Sequence, residues 1–261
     1  MLKNLDILNA LSLSIKILFR NPLLLLPKLI VAILYGFGLL FSMSLAKKIL
    51  PLLSFSLSSF SGINFSNIFF DAVLLVLISG VAFFLDIIFS GLYPVLVEQA
   101  TVGKVSFEVA FSSIKKKLKL ILFSGIFAWV IVGIVSAVLS FILLLLKLSA
   151  ISWVISFGIA FAFIFIFYFL FPTVIFKDDT VNSSFRDTVK ESFSNIKIVL
   201  LFSLIPFVVS VVKFVVAFYA VDSSSLIFYW VLVFVTAFVY SIHAIINQIL
   251  FSRLYLHNVK K

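Results

Sequence analysis

The chain has 261 residues, with 20 Lys and Arg against 10 Asp and Glu, which gives a formal net charge of +10. Apolar residues make up 64% of it and charged residues 11%, whereas an ordinary soluble domain has roughly 45–50% and about 25%. This composition excludes a water-soluble globular fold and predicts an all-α polytopic membrane protein. Cysteine is absent and there are only two histidines, so we expect no disulfide, no metal site and no cofactor.

Six apolar runs are long enough to cross a bilayer, which takes about 20 residues of helix. They cover residues 22–44, 70–97, 120–146, 151–176, 198–220 and 226–251. The third run carries no charged residue and predicts the clearest spanning helix. We therefore expect six transmembrane helices in a single membrane domain over residues 1–261.

Basic residues are concentrated on one side of this predicted topology. Fifteen of the 20 fall before the first span, between the second and third, between the fourth and fifth, or in the tail at 252–261. Lys and Arg beside helix ends resist translocation, so these segments are expected in the cytoplasm. The sequence thus predicts a multi-pass protein of the cell (plasma) membrane with both termini cytoplasmic. Its positive charge is assigned to topology and the membrane surface, and nucleic acid is not an expected partner.

A shift of 78 positions aligns the second and third spans with the fourth and fifth. Tyr93-Pro94 then matches Phe171-Pro172, and Ser106-Phe107 matches Ser184-Phe185. Apolar residues at helical spacing predict a short amphipathic helix within each connection and a third one at the N-terminus. We expect three repeat units, each an interfacial helix followed by a helical hairpin, at about residues 1–97, 98–176 and 177–251.

Basic residues accompany these short helices. Such helices lie in the headgroup plane, where each Lys or Arg near anionic lipid contributes about 1 kcal/mol. Packing on the protein's own cytoplasmic ends is an alternative, and the two arrangements are compatible. The residues expected to contact anionic headgroups are Lys16, Arg20, Lys104, Lys115, Lys116, Lys117, Lys119, Arg186, Lys190 and Lys197.

A common pattern occurs at Ala10 to Leu26, Pro94 to Leu122 and Pro172 to Leu201: a proline, a short amphipathic helix, and a basic residue before a span. It resembles prokaryotic six-helix integral membrane proteins related to the membrane domain of some glycerophosphoryl diester phosphodiesterases. In that family the phosphodiesterase chemistry lies in a separate soluble domain, which is not expected here. The resemblance implies architecture only, with no catalytic residue to carry over.

Four ionisable residues inside the predicted spans matter most, because an unpaired charge in the membrane costs several kcal/mol. Lys28 lies near the predicted cytoplasmic end of its span, and we expect it to reach the headgroups. Asp86 and His243 lie about 24 and about 25 Å into their spans at 1.5 Å per residue, so we expect them at one level. Together with Lys213 and Asn247 they predict either a pathway for protons or substrate, or a structural interhelical hydrogen bond.

No segment combines an acid, a base, a nucleophile or metal ligands in a catalytic pattern, so an enzyme is not expected. The sequence favours a non-catalytic accessory or structural subunit, or organiser, of a membrane complex that also binds anionic lipid. The alternative is a small transporter or permease-like subunit that uses the Asp86 and His243 level. Expected partners are the lipid bilayer, anionic lipids and other membrane subunits.

In the third span, the small residues Gly125, Gly133 and Ala137 predict close helix packing.

Overall fold

The computed structural model describes residues 7–49, 65–103, 105–145, 149–177, 180–197, 199–204, 207–208 and 226–259. The regular secondary structure in these ranges is entirely helical. A short 3-10 helix, Pro22–Leu24, joins the first two helices. The α-helices are α1 (Ile7–Arg20), α2 (Leu25–Ile49), α3 (Phe65–Val102), α4 (Phe107–Lys115), α5 (Leu118–Leu145), α6 (Ser149–Ile166), α7 (Leu170–Phe176), α8 (Val181–Ser194) and α9 (Leu226–Val259).

Three helical stretches in the described part of the chain are long and apolar enough to cross a membrane. They are Pro22–Ser42, Ser66–Val102 and Leu118–Leu139, and two shorter apolar stretches are Phe161–Phe176 and Ala244–Leu256. The all-helical fold is confirmed, and the long apolar helices are those of a membrane-embedded protein. The count of six spans and the three-unit architecture stay predictions.

The fourth predicted span is not one continuous helix. Its residues form α6 and α7, which are separated by a turn at residues 167–169. Pro172 lies in the first turn of α7. Proline has no amide proton and crowds the carbonyl group four residues earlier, here that of Tyr168, so the break falls where helical hydrogen bonding is weakest. Most of the fifth predicted span lies outside the described residues, and α9 contains the sixth.

The chain divides into two compact units. Leu26–Asp86 and Val212–Ile242 form one, called here the hairpin unit, and Met1–Leu25, Ile87–Val211 and His243–Lys261 form the other, called here the larger unit. Within the hairpin unit, α2 runs antiparallel to the first part of α3. The two helices approach closely at Gly38, where a Cβ atom would lie 3.3 Å from the Ser79 hydroxyl oxygen.

In the larger unit, the second part of α3 packs against α5 through two reciprocal contacts. A Cβ atom on Gly125 would lie 2.7 Å from Cγ2 of Ile87, and one on Gly91 would lie 2.9 Å from Cγ2 of Ile121. Each isoleucine therefore fills the space left by a glycine on the other helix. The expected close packing at Gly125 is confirmed, whereas a Cβ atom on Gly133 would have no neighbouring atom within 4 Å.

An aromatic cluster forms the core of the larger unit. It lies where the α6–α7 turn meets the last turns of α9, and Phe169 and Tyr255 in it are almost completely buried. The buried members are Phe165, Tyr168, Phe169, Val199, Phe202, Leu250, Leu254 and Tyr255. This cluster fixes the end of α9 against the segment that contains Pro172.

The three segments predicted to be interfacial are helical, and they correspond to α1, α4 and α8. The Ser106 side chain caps α4 by accepting from the amide of Val109, and Thr180 caps α8 by accepting from the amide of Ser183. These caps are 74 positions apart, so α8 begins one turn earlier than a 78-residue repeat requires. The repeat therefore stays a prediction, and so does the position of these helices at a membrane surface.

The helix α8 buries small polar side chains and leaves the large apolar Phe193 exposed. Ser184, Thr188 and Ser192 are fully buried, whereas Phe193 is 54% exposed. The buried residues follow each other at intervals of four, so they form one face of the helix. Small side chains allow a helix to pack closely, and the hydroxyl of Ser192 donates to the carbonyl oxygen of Ile166.

Candidate functional site

The first candidate, Asp86, forms an ion pair with Lys28 inside the hairpin unit. Lys28 Nζ donates to Asp86 Oδ1 over 2.5 Å, and only 3% of the Lys28 side chain is exposed. The prediction that Lys28 extends to the headgroups was therefore wrong. The antiparallel packing of α3 brings a carboxylate within reach, and pairing avoids the cost of two separate charges.

A second charged cluster lies further along the same two helices. Lys48 Nζ donates to Asp71 Oδ2 over 2.6 Å, and Ser44 Oγ donates to the same oxygen over 2.8 Å. Asp71 is 9% exposed. This residue does not stand out in the sequence because it lies at the start of an apolar run. The sequence did contain a signal, because Lys48 and Asp71 carry opposite charges and flank the connection between the first two spans.

The two contacts lie near opposite ends of the hairpin. Lys28 and Ser44 are 16 residues apart on α2, which corresponds to about 24 Å of helix axis. Asp71 and Asp86 are 15 residues apart on α3, or about 22 Å. The two contacts therefore join α2 to α3 at two well-separated levels of the hairpin. Charge-assisted hydrogen bonds of this kind are roughly twice as strong as neutral ones.

Among the other predicted pathway residues, Asn247 alone has a described side chain. Lys213 lies outside the described residues, and so does the side chain of His243, whose backbone is helical. Asn247 lies in α9 within the larger unit and is 4% exposed. The grouping of Asp86 with His243, Lys213 and Asn247 stays a prediction.

Most of the basic residues predicted to meet lipid headgroups are exposed. Lys117 is different, because its Nζ donates over 3.0 Å to the carbonyl oxygen of Val174. The last carbonyl groups of a helix lack partners within the helix, so this lysine helps to cap the end of α7. Lys104 lies outside the described residues. The exposed residues of the set are Lys16, Arg20, Lys115, Lys116, Lys119, Arg186, Lys190 and Lys197.

Another ion pair joins the end of α7 to α8, outside the apolar helices. Lys177 Nζ lies 2.6 Å from Asp187 Oδ2, and Arg186 Nε lies 3.7 Å from the other carboxylate oxygen. The hydrogen bond from Lys177, assisted by the nearby positive charges, holds the pKa of Asp187 below its ordinary value. The pair therefore fixes α8 relative to the chain segment that precedes it.

This pair predicts acid sensitivity. A carboxylate with a lowered pKa in the folded protein contributes stability that is complete above the unfolded pKa of about 3.9 and is lost as the pH falls through the folded value. We expect the unfolding temperature in detergent to fall below pH 4, and Asp187→Asn to flatten that decline while lowering the plateau at neutral pH. Glu108→Gln, which removes an exposed carboxyl group, is the matched control. A decline that is identical in wild type and Asp187→Asn would contradict the role of this pair.

Comparisons with protein-family models, curated proteins and solved structures found no match for this chain. The class that its own fold defines is a helical, membrane-embedded protein, with charged contacts that join the helices of its hairpin unit.

Proposed function

We propose that this chain is a non-catalytic accessory or structural subunit, or organiser, of a membrane complex, and that it also binds anionic lipid. The observation that carries the proposal is the Lys28–Asp86 ion pair. Asp86 is the carboxylate on which a transport pathway would depend, and Lys28 neutralises it within the hairpin. A charge that is paired between two helices stabilises their packing, as expected of a structural subunit.

The exposed face of α5 supports a partner in the membrane. Val130, Ile134 and Phe141 are 46%, 59% and 60% exposed, and they lie on one side of the helix. The small residues Gly133 and Ala137 are also exposed beside them. Small residues let the backbones of transmembrane helices approach closely, as Gly91 and Gly125 already do within this chain.

The short helices support lipid binding, because they expose large apolar side chains next to basic ones. In α1, Phe19 is 81% exposed and precedes Arg20, and in α4, Phe111 is 43% exposed and lies one turn before the exposed Lys115. A helix that lies at the membrane surface buries such apolar side chains among the acyl chains while its basic groups meet the headgroups. The proposal includes both termini in the cytoplasm, a plasma-membrane location, and the architecture of the six-helix proteins that the sequence resembles.

Photo-crosslinking in native membranes tests the partner directly. A photoreactive amino acid at Ile134 is expected to capture a distinct polypeptide. At Val132, which is half-buried and about 160° away around the same helix, it is expected to react within the chain. Gly133→Leu should reduce the capture at Ile134 by at least about threefold by obstructing close approach. Lipid adducts alone at Ile134, with no polypeptide, would contradict the proposed subunit role.

A further inference from the structure

A small cavity in the larger unit is surrounded by three positive charges. It has a volume of about 210 Å³ and lies between the last turns of α1, the end of α3 and the last part of α9. Lys16 and Arg20 reach it from α1 and Arg253 from α9, while Asn21 and Thr101 add polar groups. These residues are far apart in sequence, and only the packing of the three helices brings them together.

No carboxylate lines this cavity. In the described part of the chain, Lys16, Arg20 and Arg253 form no ion pair and no side-chain hydrogen bond. Arg253 is partly buried, unlike the exposed Lys16 and Arg20. Three like charges around one small space repel each other, and a guanidinium group that is partly withdrawn from water loses hydration without compensation. A bound anion would remove both costs.

The donors present suit a phosphate group. Two guanidinium groups supply planar pairs of N–H donors that match tetrahedral oxyanions, and the lysine adds a compact charge. The cavity is smaller than the roughly 300 Å³ at which small-molecule sites begin, so it fits a phosphorylated headgroup better than a whole metabolite. The exposed apolar side chain of Phe19, on the same helix, would lie among acyl chains if the ligand were a lipid.

We propose that this cavity is a binding site for the phosphate group of a phosphorylated ligand, with Arg20 and Arg253 as the principal contacts and Lys16 as the third charge. The assignment rests on the proposed binding of anionic lipid and adds one defined site to it. The sequence predicted Lys16 and Arg20 as members of a diffuse basic surface. Arg253 was missed, because it lies in the last helix and meets the other two only in the fold.

The test measures binding of phosphatidic acid to the full chain in neutral detergent by native mass spectrometry, with phosphatidylcholine as the reference lipid. Arg253→Gln and Arg20→Gln are each expected to weaken phosphatidic acid binding about tenfold. Arg253→Lys, which keeps the charge but not the planar donors, should recover only part of it. The matched control is Lys115→Gln with Lys116→Gln, which removes two exposed charges outside the cavity and should change binding less than twofold.

Inorganic phosphate distinguishes the source of the ligand. If millimolar phosphate displaces phosphatidic acid from the wild type but not from the residual binding of Arg253→Gln, the site exists and accepts free phosphate. If phosphatidic acid binds at the site and phosphate does not compete, the site exists and requires the lipid. Equal losses in the Arg20 variant, the Arg253 variant and the Lys115/Lys116 control would overturn the site while leaving diffuse lipid binding. A wild type with no preference for phosphatidic acid over phosphatidylcholine would overturn lipid binding as a whole.

Discussion

Asp86→Ala is expected to lower the free energy of unfolding by about 3 kcal/mol or more. The substitution leaves the Lys28 ammonium group without a counter-charge, and only 3% of that side chain is exposed. A buried charge that loses its counter-charge bears a large desolvation cost. Equilibrium unfolding in mixed micelles, with increasing fractions of denaturing detergent, measures the effect.

The double variant Lys28→Met with Asp86→Leu distinguishes pairing from a polar pathway. Replacing both members of a buried ion pair by apolar residues of similar size is often neutral or stabilising, so most of the lost stability should return. Asp71→Ala is the matched control. Its partner Lys48 has a side chain that is 37% exposed and can turn to water, so a smaller loss is expected. If Asp86→Ala kept full stability but abolished proton passage in proteoliposomes, the transport function would replace the proposed structural role.

Gly125→Ala and Gly133→Ala are expected to change stability in opposite directions, although both lie in α5. Alanine favours a helix over glycine by about 1 kcal/mol. At Gly133 nothing lies within 4 Å of the added atom, so that gain should appear. At Gly125 the added atom would meet Cγ2 of Ile87 at 2.7 Å, and such overpacking typically costs about 1–3 kcal/mol. Equilibrium unfolding in mixed micelles measures the change in the free energy of unfolding for both variants.

A double-mutant cycle tests whether the loss at Gly125 comes from Ile87. Ile87→Ala alone should destabilise the protein by leaving a cavity, whereas Ile87→Ala combined with Gly125→Ala should cost less than the sum of the two. Gly91→Ala is expected to behave like Gly125→Ala, because its Cβ atom would meet Ile121 at 2.9 Å. Strict additivity, or equal shifts for Gly125→Ala and Gly133→Ala, would contradict the reciprocal packing of α3 and α5.

The helices could largely be predicted from the sequence, because hydropathy and periodicity are local properties. For example, α5 begins at Leu118 and contains residues 120–145 of the third predicted span. The break before Pro172 was missed. Pro94 lies inside α3, which continues through it, so a proline by itself does not identify a break. The outcome at the two prolines depends on packing around them, which a single segment does not encode.

The candidate sites depended on contacts between segments, and these were harder to predict. The sequence placed Lys28 and Asp86 in different spans but not against each other, so Lys28 was assigned to the headgroups. The buried face of α8 was also missed, because an apolar stripe is the usual indicator of a buried face and this helix buries Ser184, Thr188 and Ser192 instead. Arg253 joined the predicted basic residues only through the packing of α9.

The mass and composition of the complex extracted from native membranes in mild detergent test the central claim most directly. We expect the 29.3 kDa chain to be recovered with a second polypeptide in fixed stoichiometry and with bound anionic phospholipid. Gly133→Leu should lower the yield of that polypeptide without unfolding the chain. Recovery of the chain without a protein partner, carrying a small molecule that is lost on Asp86→Asn, would contradict the subunit role.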